Sequence, residues 1–356
     1  MGLLNSIMPG VAAVAPFLWT AYADATRRGE PIFRWTTWLT AAAALLLPNA
    51  QRFVAAAAAV FCLAVFRTPL IPIANSMTFR ALKGRPQDYA AVRLWGTIGY
   101  IAAAVGAGAV MDRIGLRAGM YGVGLAMTGC GIVAWAGKSR ERVRLAPVGV
   151  REILESLRDR RFLVLLMATA LAWMSYGPYA TFYTIHLQRL GLSRAFAGTA
   201  WALAAASELL IMFFWPRLCG VAQPRTWLIV ALAAHPIRWL LSSVAHGPAI
   251  LLATQLTHAF TFGVLYLAAV QSVEGLVPDG LRTTAQGVFA SVTFGLGGFI
   301  GNLLGGLLYE PMGMRALYLL AALLSAAATV IYVLGSRGEP RAGRRPAPGA
   351  AAGRGR

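Results

Sequence analysis

Apolar residues in this chain arrive in unbroken blocks of about twenty, each long enough to cross roughly 30 Å of hydrocarbon as a helix. The stretch Phe53–Ile73 is typical, with Arg67 as its only charged residue. In lipid every backbone N–H and C=O must be satisfied internally, so blocks of this length read as helices rather than strands. Composition agrees. The 356 residues are 58% apolar and 13% charged, with a mean hydropathy of +0.62. Soluble domains carry about 45–50% apolar and about 25% charged residues. A water-soluble enzyme, a coiled coil and a disordered chain are excluded together.

Eleven spans are expected: Gly2–Ala23, Pro31–Leu47, Phe53–Ile73, Leu94–Val110, Ala118–Ala136, Phe162–Leu187, Ala195–Trp215, Thr226–Val244, Ala249–Val270, Thr283–Leu308 and Ala316–Leu334. The expected organisation is an N-terminal bundle (1–136), a central loop (137–161), a C-terminal bundle (162–336) and a disordered Arg/Pro/Gly/Ala tail (337–356). Within the loop, Arg151–Leu157 reads as an amphipathic surface helix.

The net charge of +19 sits in short loops rather than in a basic groove, which argues against nucleic acid as a partner. One set of alternate loops holds Arg27, Arg28, Arg80, Lys83, Arg85, Arg93, Arg217, Arg225, Arg282, the central loop and the tail. The other holds Arg52, Arg113, Arg117, Arg189, Arg194 and Arg315. The positive-inside rule makes the richer set cytoplasmic, so the C-terminus is expected on that side of an inner membrane. Cys62, Cys130 and Cys219 have no metal-like spacing, and neither a metal nor a cofactor is expected.

A repeat runs through the chain. Asp112, Gly115, Arg117 and Ala118 match Glu310, Gly313, Arg315 and Ala316 at one constant offset, each set following a small-residue helix. The same offset carries Arg27 onto Arg225. Parallel halves of this kind are a transporter architecture. The offset puts the counterpart of Phe162 before Met1, so a twelve-helix parent is expected, its first helix absent here through a late start codon or a real truncation.

An ionisable side chain at mid-bilayer is costly and marks function by default. Glu208, Arg238 and His258 lie on three consecutive spans of the second half. Desolvation and a nearby cation pull a buried Glu in opposite directions. Glu208 is therefore the expected proton carrier, with Arg238 as its switchable partner or as a holder of a substrate carboxylate. His258 either hydrogen-bonds substrate or relays the proton; a static ion pair and a satisfied histidine are the plain alternative. Arg67, ahead of Pro69 and Pro72, is either an anion contact of the first half or a snorkelling side chain. Asn75 is a cavity contact or a bond between helices. Tyr176, Tyr179 and Tyr183 follow Trp173 on one helical face and offer either ligand contacts or packing. Arg34 is expected to snorkel, Trp95 to pack, and Gly297, Gly301 and Gly305 to let helices approach closely.

The chain resembles the major facilitator superfamily, in particular its phenylpropionate-type permease branch, with lactose permease and nucleoside–proton symporters as relatives. Trp19–Arg28 is a degenerate form of the loop motif G-x-L-a-D-r-x-G-r-k, lacking its first Gly. The resemblance implies that Asp24, Arg27 and Arg28 are the gating residues. Tyr89-Ala-Ala-Val-Arg93-Leu-Trp95-Gly-Thr97-Ile-Gly-Tyr100 is similar to the signature Y-x-x-x-R-l-W-G-S-i-G-y, and His258–Gly263 with Pro278, Arg282 and Ala285-Gln286-Gly287 extends the likeness. In lactose permease a Glu, an Arg and a His on the matching helices line the sugar and proton site, although Thr261 replaces a carboxylate found there. The resemblance implies a monomeric secondary transporter, a proton-coupled symporter of an aromatic acid, sugar or nucleoside working by alternating access. A drug or metabolite exporter and a transport-inactive remnant are the alternatives. A membrane-embedded enzyme finds no motif to support it.

Overall fold

The computed structural model describes residues 2–83, 85–137, 155, 158–245 and 247–337, and these are helical throughout apart from short connections. Of the surface helix expected at Arg151–Leu157 only Glu155 is among the described residues, and the tail after Arg337 lies outside them.

The first half comprises α1 (Gly2–Ala12), α2 (Ala15–Thr26), α3 (Gly29–Leu46), α4 (Phe53–Arg67), α5 (Leu70–Ala81), α6 (Tyr89–Ile114) and α7 (Leu116–Ala136). The second comprises α8 (Arg160–Arg189), α9 (Arg194–Val221), α10 (Pro224–Ser243), α11 (Pro248–Leu256), α12 (Leu265–Leu276), α13 (Arg282–Ala290) and α14 (Gly298–Gly335). Wide π-helical turns, Ala259–Val264 and Ser291–Gly297, join α11 to α12 and α13 to α14. Six helical stretches among the described residues are long and apolar enough to cross a membrane; the longest, Asp279–Gly335, includes a break at Gly313.

Several spans run longer than the sequence reading, among them Leu94–Val110, which begins at Tyr89, Ala195–Trp215, which ends at Val221, and Ala249–Val270, which ends at Leu276; two differ in kind. Gly2–Ala23 is broken between Ala12 and Ala15, because Pro16 in the first turn of α2 cannot donate to a continuing helix. The break leaves the Phe17 N–H to bond Ser291 Oγ at 3.1 Å across the two halves. The third span does not stop at Ile73 but runs on as α5 to Ala81. Its polar Asn75 and Ser76 stay buried inside the bundle because Tyr89, Tyr266 and Thr283 bond them.

The repeat is visible in the backbone. Gly115 ends α6 at φ 102°, ψ 168°, and Gly313 breaks α14 at φ 72°, ψ 171°. Both positions lie in the left-handed region that L side chains avoid, so each half turns from its penultimate to its last helix on a glycine. In the second half α8 lies along α14. A Cβ on Gly297 would stand 2.7 Å from the Ala170 carbonyl oxygen, so only glycine permits this approach.

The halves meet where α2 and α5 pack on α13 and where α6 packs on α9. Gly287 of α13 lets α2 come so close that a Cβ there would run into Thr20 and stand 2.8 Å from the Pro16 carbonyl oxygen. Arg34 does not simply snorkel. Its Nε donates to the Ala134 carbonyl at 2.9 Å and Nη2 meets Glu30 at 2.5 Å, tying α3 to the end of α7. Trp95, expected to pack, is 71% exposed. It lies two residues from Thr97, about 200° around the helix, and Thr97 is what faces the second half.

Candidate functional site

At one end of the bundle a polar seam closes the two halves against each other. Asp24, 3% exposed, accepts from the Thr284 N–H (2.7 Å) and hydroxyl (2.9 Å). Arg27 holds α2's end in a left-handed turn and donates to the Gly280 carbonyl at 3.0 Å. Ser76 and Arg80 of α5 reach Thr283 at 2.9 and 3.4 Å. Gln271 donates to the Pro86 carbonyl at 2.8 Å. Arg282 bridges Glu274 and Asp279 at 3.3 and 2.8 Å, and Gln286 donates to Glu274 at 3.2 Å. Arg28 is exposed and stays outside the seam. At the position that the repeat pairs with Arg27, Arg225 bonds the Ser336 carbonyl and hydroxyl within its own half.

Deeper in the bundle, four helices bring together a second cluster. Glu208 (α9), Arg238 (α10) and His258 (between α11 and the π-turn) are 7%, 0% and 6% exposed. Arg238 Nη1 donates to Thr261 Oγ1 at 2.7 Å and meets His258 Nδ1 at 3.1 Å. A guanidinium can only donate, so this Nδ1 is the bare nitrogen and Nε2 carries the hydrogen. That Nε2 lies 4.0 Å from Glu208 Oε2. Glu208 Oε1 accepts from Thr97 Oγ1 at 3.2 Å, and Arg93 Nη1 donates to the same hydroxyl at 3.1 Å. Thr97 and Arg93 belong to α6, so the line Arg93–Thr97–Glu208–His258–Arg238 crosses from one half into the other. Glu208 and Arg238 do not touch directly; His258 stands between them.

His258 and Thr261 are three residues apart, neighbours on one helical face, and both side chains reach the same guanidinium. A π-helical turn begins directly after His258, at Ala259. Such turns recur at functional sites. Below His258 the rings of Phe262 and Tyr266 stack in series, at 5.2 and 6.0 Å between centroids. Tyr266 then joins Tyr89 and Asn75 in a buried triad: Tyr89 donates to Asn75 Oδ1 at 2.7 Å and Asn75 Nδ2 donates to Tyr266 at 3.1 Å. A small cleft lined by Trp173, Phe262, Tyr266, Phe294, Thr169 and Thr293 opens beside the stack.

The three tyrosines of α8 separate. Tyr179 and Tyr183 are buried, and both hydroxyls are taken by Gln255, at 2.5 and 2.8 Å. Tyr176 is half-buried, over Trp173 (5.0 Å) and near His258 (5.9 Å). Arg67 ends α4 exposed and makes none of the cluster's contacts. The sequence reading missed Arg93, Thr97 and Gln255 as members of the polar network. Charge counting places Arg93 among the loop cations; its position one turn before Thr97, inside a tyrosine-headed motif, is the signal for the network.

Two helical halves closed at one end, with ionisable groups buried between their helices, are the architecture of a membrane transport protein. The sequence model of the MFS_1 like family matches residues 1–320, and the chain belongs to that family, within the major facilitator superfamily. It is 24% identical to a maltose permease of Geobacillus stearothermophilus over 96% of this chain and 87% of that one. It is 25% identical to the "Probable 3-phenylpropionic acid transporter" of Escherichia coli K12 over 72% and 68%. In structure it resembles the human organic anion transporter MFSD10 (TM-score 0.78, 16% identity, 93% and 83% covered).

Proposed function

We propose that this protein is a proton-coupled symporter of a small organic solute, working by alternating access as a monomer in the inner membrane. In this reading eleven helices cross the bilayer, and residues 1–136 and 162–336 rock about the central cluster. The seam at Asp24 and Arg27 is the cytoplasmic gate, which puts the C-terminus inside. Arg28 guides the approach to that gate from its exposed position. The small solute and the proton are the partners.

One observation supports this reading above the others: Glu208, a buried carboxylate, takes its hydrogen bond from one half and faces an imidazole N–H of the other. Adding a proton to Glu208 removes the charge that Thr97 and Arg93 address across the interface. It thereby loosens α6 from α9 while the Asp24 seam still holds the other end. His258 presents Nε2–H to Glu208 and is placed to pass a proton along the line. The half-buried Tyr176 lies where a solute would touch the cluster, while Tyr179 and Tyr183 position Arg238 from behind. Asn75 steadies the crossing between α5 and α12, and Arg67 attracts anions at the surface.

The test is uptake into proteoliposomes with and without an inward pH gradient, across aromatic acids, sugars and nucleosides. Glu208→Gln is expected to bind solute and to exchange it across the membrane, yet to lose accumulation driven by the gradient. Accumulation at the wild-type level in that variant would remove Glu208 from coupling.

A further inference from the structure

Arg238 is fully buried, and no carboxylate among the described residues lies within 4.0 Å of it. Its five donors are used unequally. Nη1 is engaged by His258 and Thr261. Nε and Nη2 are buried and have no hydrogen-bond partner. These two nitrogens share one edge of the guanidinium, and their parallel N–H bonds match the two oxygens of a carboxylate. The planar faces are held by rings: Tyr179 at 4.5 Å, Trp239 at 4.9 Å and Tyr176 at 5.9 Å from the guanidinium carbon. Rings can offset a buried cation in part, but they cannot accept two in-plane hydrogen bonds. The far edge is pinned, the faces are clamped, and the near edge is oriented with nothing to bind.

We infer that the solute carries a carboxylate, which Arg238 takes bidentately through Nε and Nη2. This names the substrate class of the transport reading above and rests on it. Tyr176 is the one half-buried ring of the clamp and covers both Arg238 and His258, so its side chain is the door that admits the anion. An alcohol or an amide satisfies the fork less well. A hydroxyl offers one acceptor, and an amide in the same place turns an N–H toward a donor. Selection against neutral isosteres follows from the geometry. Glu208 keeps a separate task, because its charge faces Thr97 and His258, not the fork. Proton and carboxylate thus occupy adjoining but distinct places, and a site loaded with both gains no net charge.

The test is ligand-induced stabilisation of the purified full chain in detergent, using matched pairs: hexanoate and hexanamide, phenylacetate and phenylacetamide, gluconate and glucose. Carboxylate members are expected to raise the unfolding midpoint and neutral members to leave it unchanged. Arg238→Lys keeps the charge but lacks the fork, and should weaken carboxylate binding by about tenfold or more. Should that variant fold poorly, the wild-type chain titrated with each matched pair supplies the second arm: benzoate added in excess should abolish the further stabilisation by a carboxylate member while benzamide leaves it intact, and equal competition by the two would overturn the inference. Equal stabilisation by both members of a pair, undiminished binding in Arg238→Lys, or a panel with no responding carboxylate would each overturn the inference. Gradient-driven uptake of a neutral solute alongside such a result would leave the symport reading standing. Arg238-dependent carboxylate binding without any accumulation would instead sink symport and keep the anion site.

Discussion

The two halves share a repeat and differ in how much of it they bury. Along α4–α5 only 11% of the most apolar stretch is buried, against 61% along α11–α12 at the other half's corresponding place. The last helices of each half turn on equivalent glycines, Gly115 and Gly313, but the faces before them are unlike. Gly297, Gly301 and Gly305 press on α8, whereas Gly99 and Ala103 at the same offset are exposed. Small-residue stripes are therefore an allowance for close packing, and whether the allowance is used depends on what lies opposite. In the central cluster the polar chemistry divides likewise: the second half supplies a buried Glu, Arg, His and Gln, and the first the Thr97 hydroxyl and a half-buried Arg93. At the seam the roles reverse, with the buried Asp24 of the first half accepting from Thr284 of the second.

The sharpest way to break this comparison is a matched pair of glycine substitutions. Gly297→Leu drives a side chain into the α8 backbone and is expected to prevent recovery of folded protein, since overpacking costs about 1–3 kcal/mol or more. At Gly99 a Cβ meets nothing within 4 Å, so Gly99→Leu should change the unfolding free energy by no more than about 0.5 kcal/mol. Similar losses in both would mean that the halves are packed alike.

A middle-sized effect is expected at the seam. Thr284→Val removes the hydroxyl donor to Asp24 but leaves the backbone N–H bond. It should cost about 1.5–3 kcal/mol of closed-end stability, as for hydrogen bonds to charged groups. A cysteine pair labelled across α2 and α13 would read this as greater accessibility from that end; unchanged labelling would show that the helices hold without it.

The smallest effects concern helix starts. Of the helices with described caps, only α8 and α9 begin on a capping side chain: Asp159 accepts from the Arg161 N–H at 2.8 Å and Ser193 from the Phe196 N–H at 3.1 Å. Ser193→Ala should cost about 1 kcal/mol, read as a lower unfolding midpoint. Asp159 lies ahead of the span, and its hydrogen bond from Arg161 holds its carboxyl below the usual value, against a small opposing push from burial. A depressed carboxyl contributes stability above its unfolded-state value and loses it as the pH falls through the folded one. The wild-type protein should thus lose a little more stability than Asp159→Asn in that acidic window, and parallel pH profiles would show the pair to be idle.

Local chemistry alone determined much of this protein. Blocks of apolar residues require helices, because lipid offers the backbone no partner. The match of Gly115 to Gly313 was legible as a repeat, and the left-handed backbone at both is what the structure adds, since few residues tolerate it. Glu208, Arg238 and His258 were legible because charge in an apolar block has no cheap explanation. What only the tertiary structure decided is pairing. That His258 separates Glu208 from Arg238, that Thr97 and Arg93 complete the line, and that Gln255 occupies both tyrosine hydroxyls depends on how each helix is rotated about its axis. A one-residue change of register turns a side chain by about 100°. No span read from hydropathy fixes that angle; the packing of the helices against one another does.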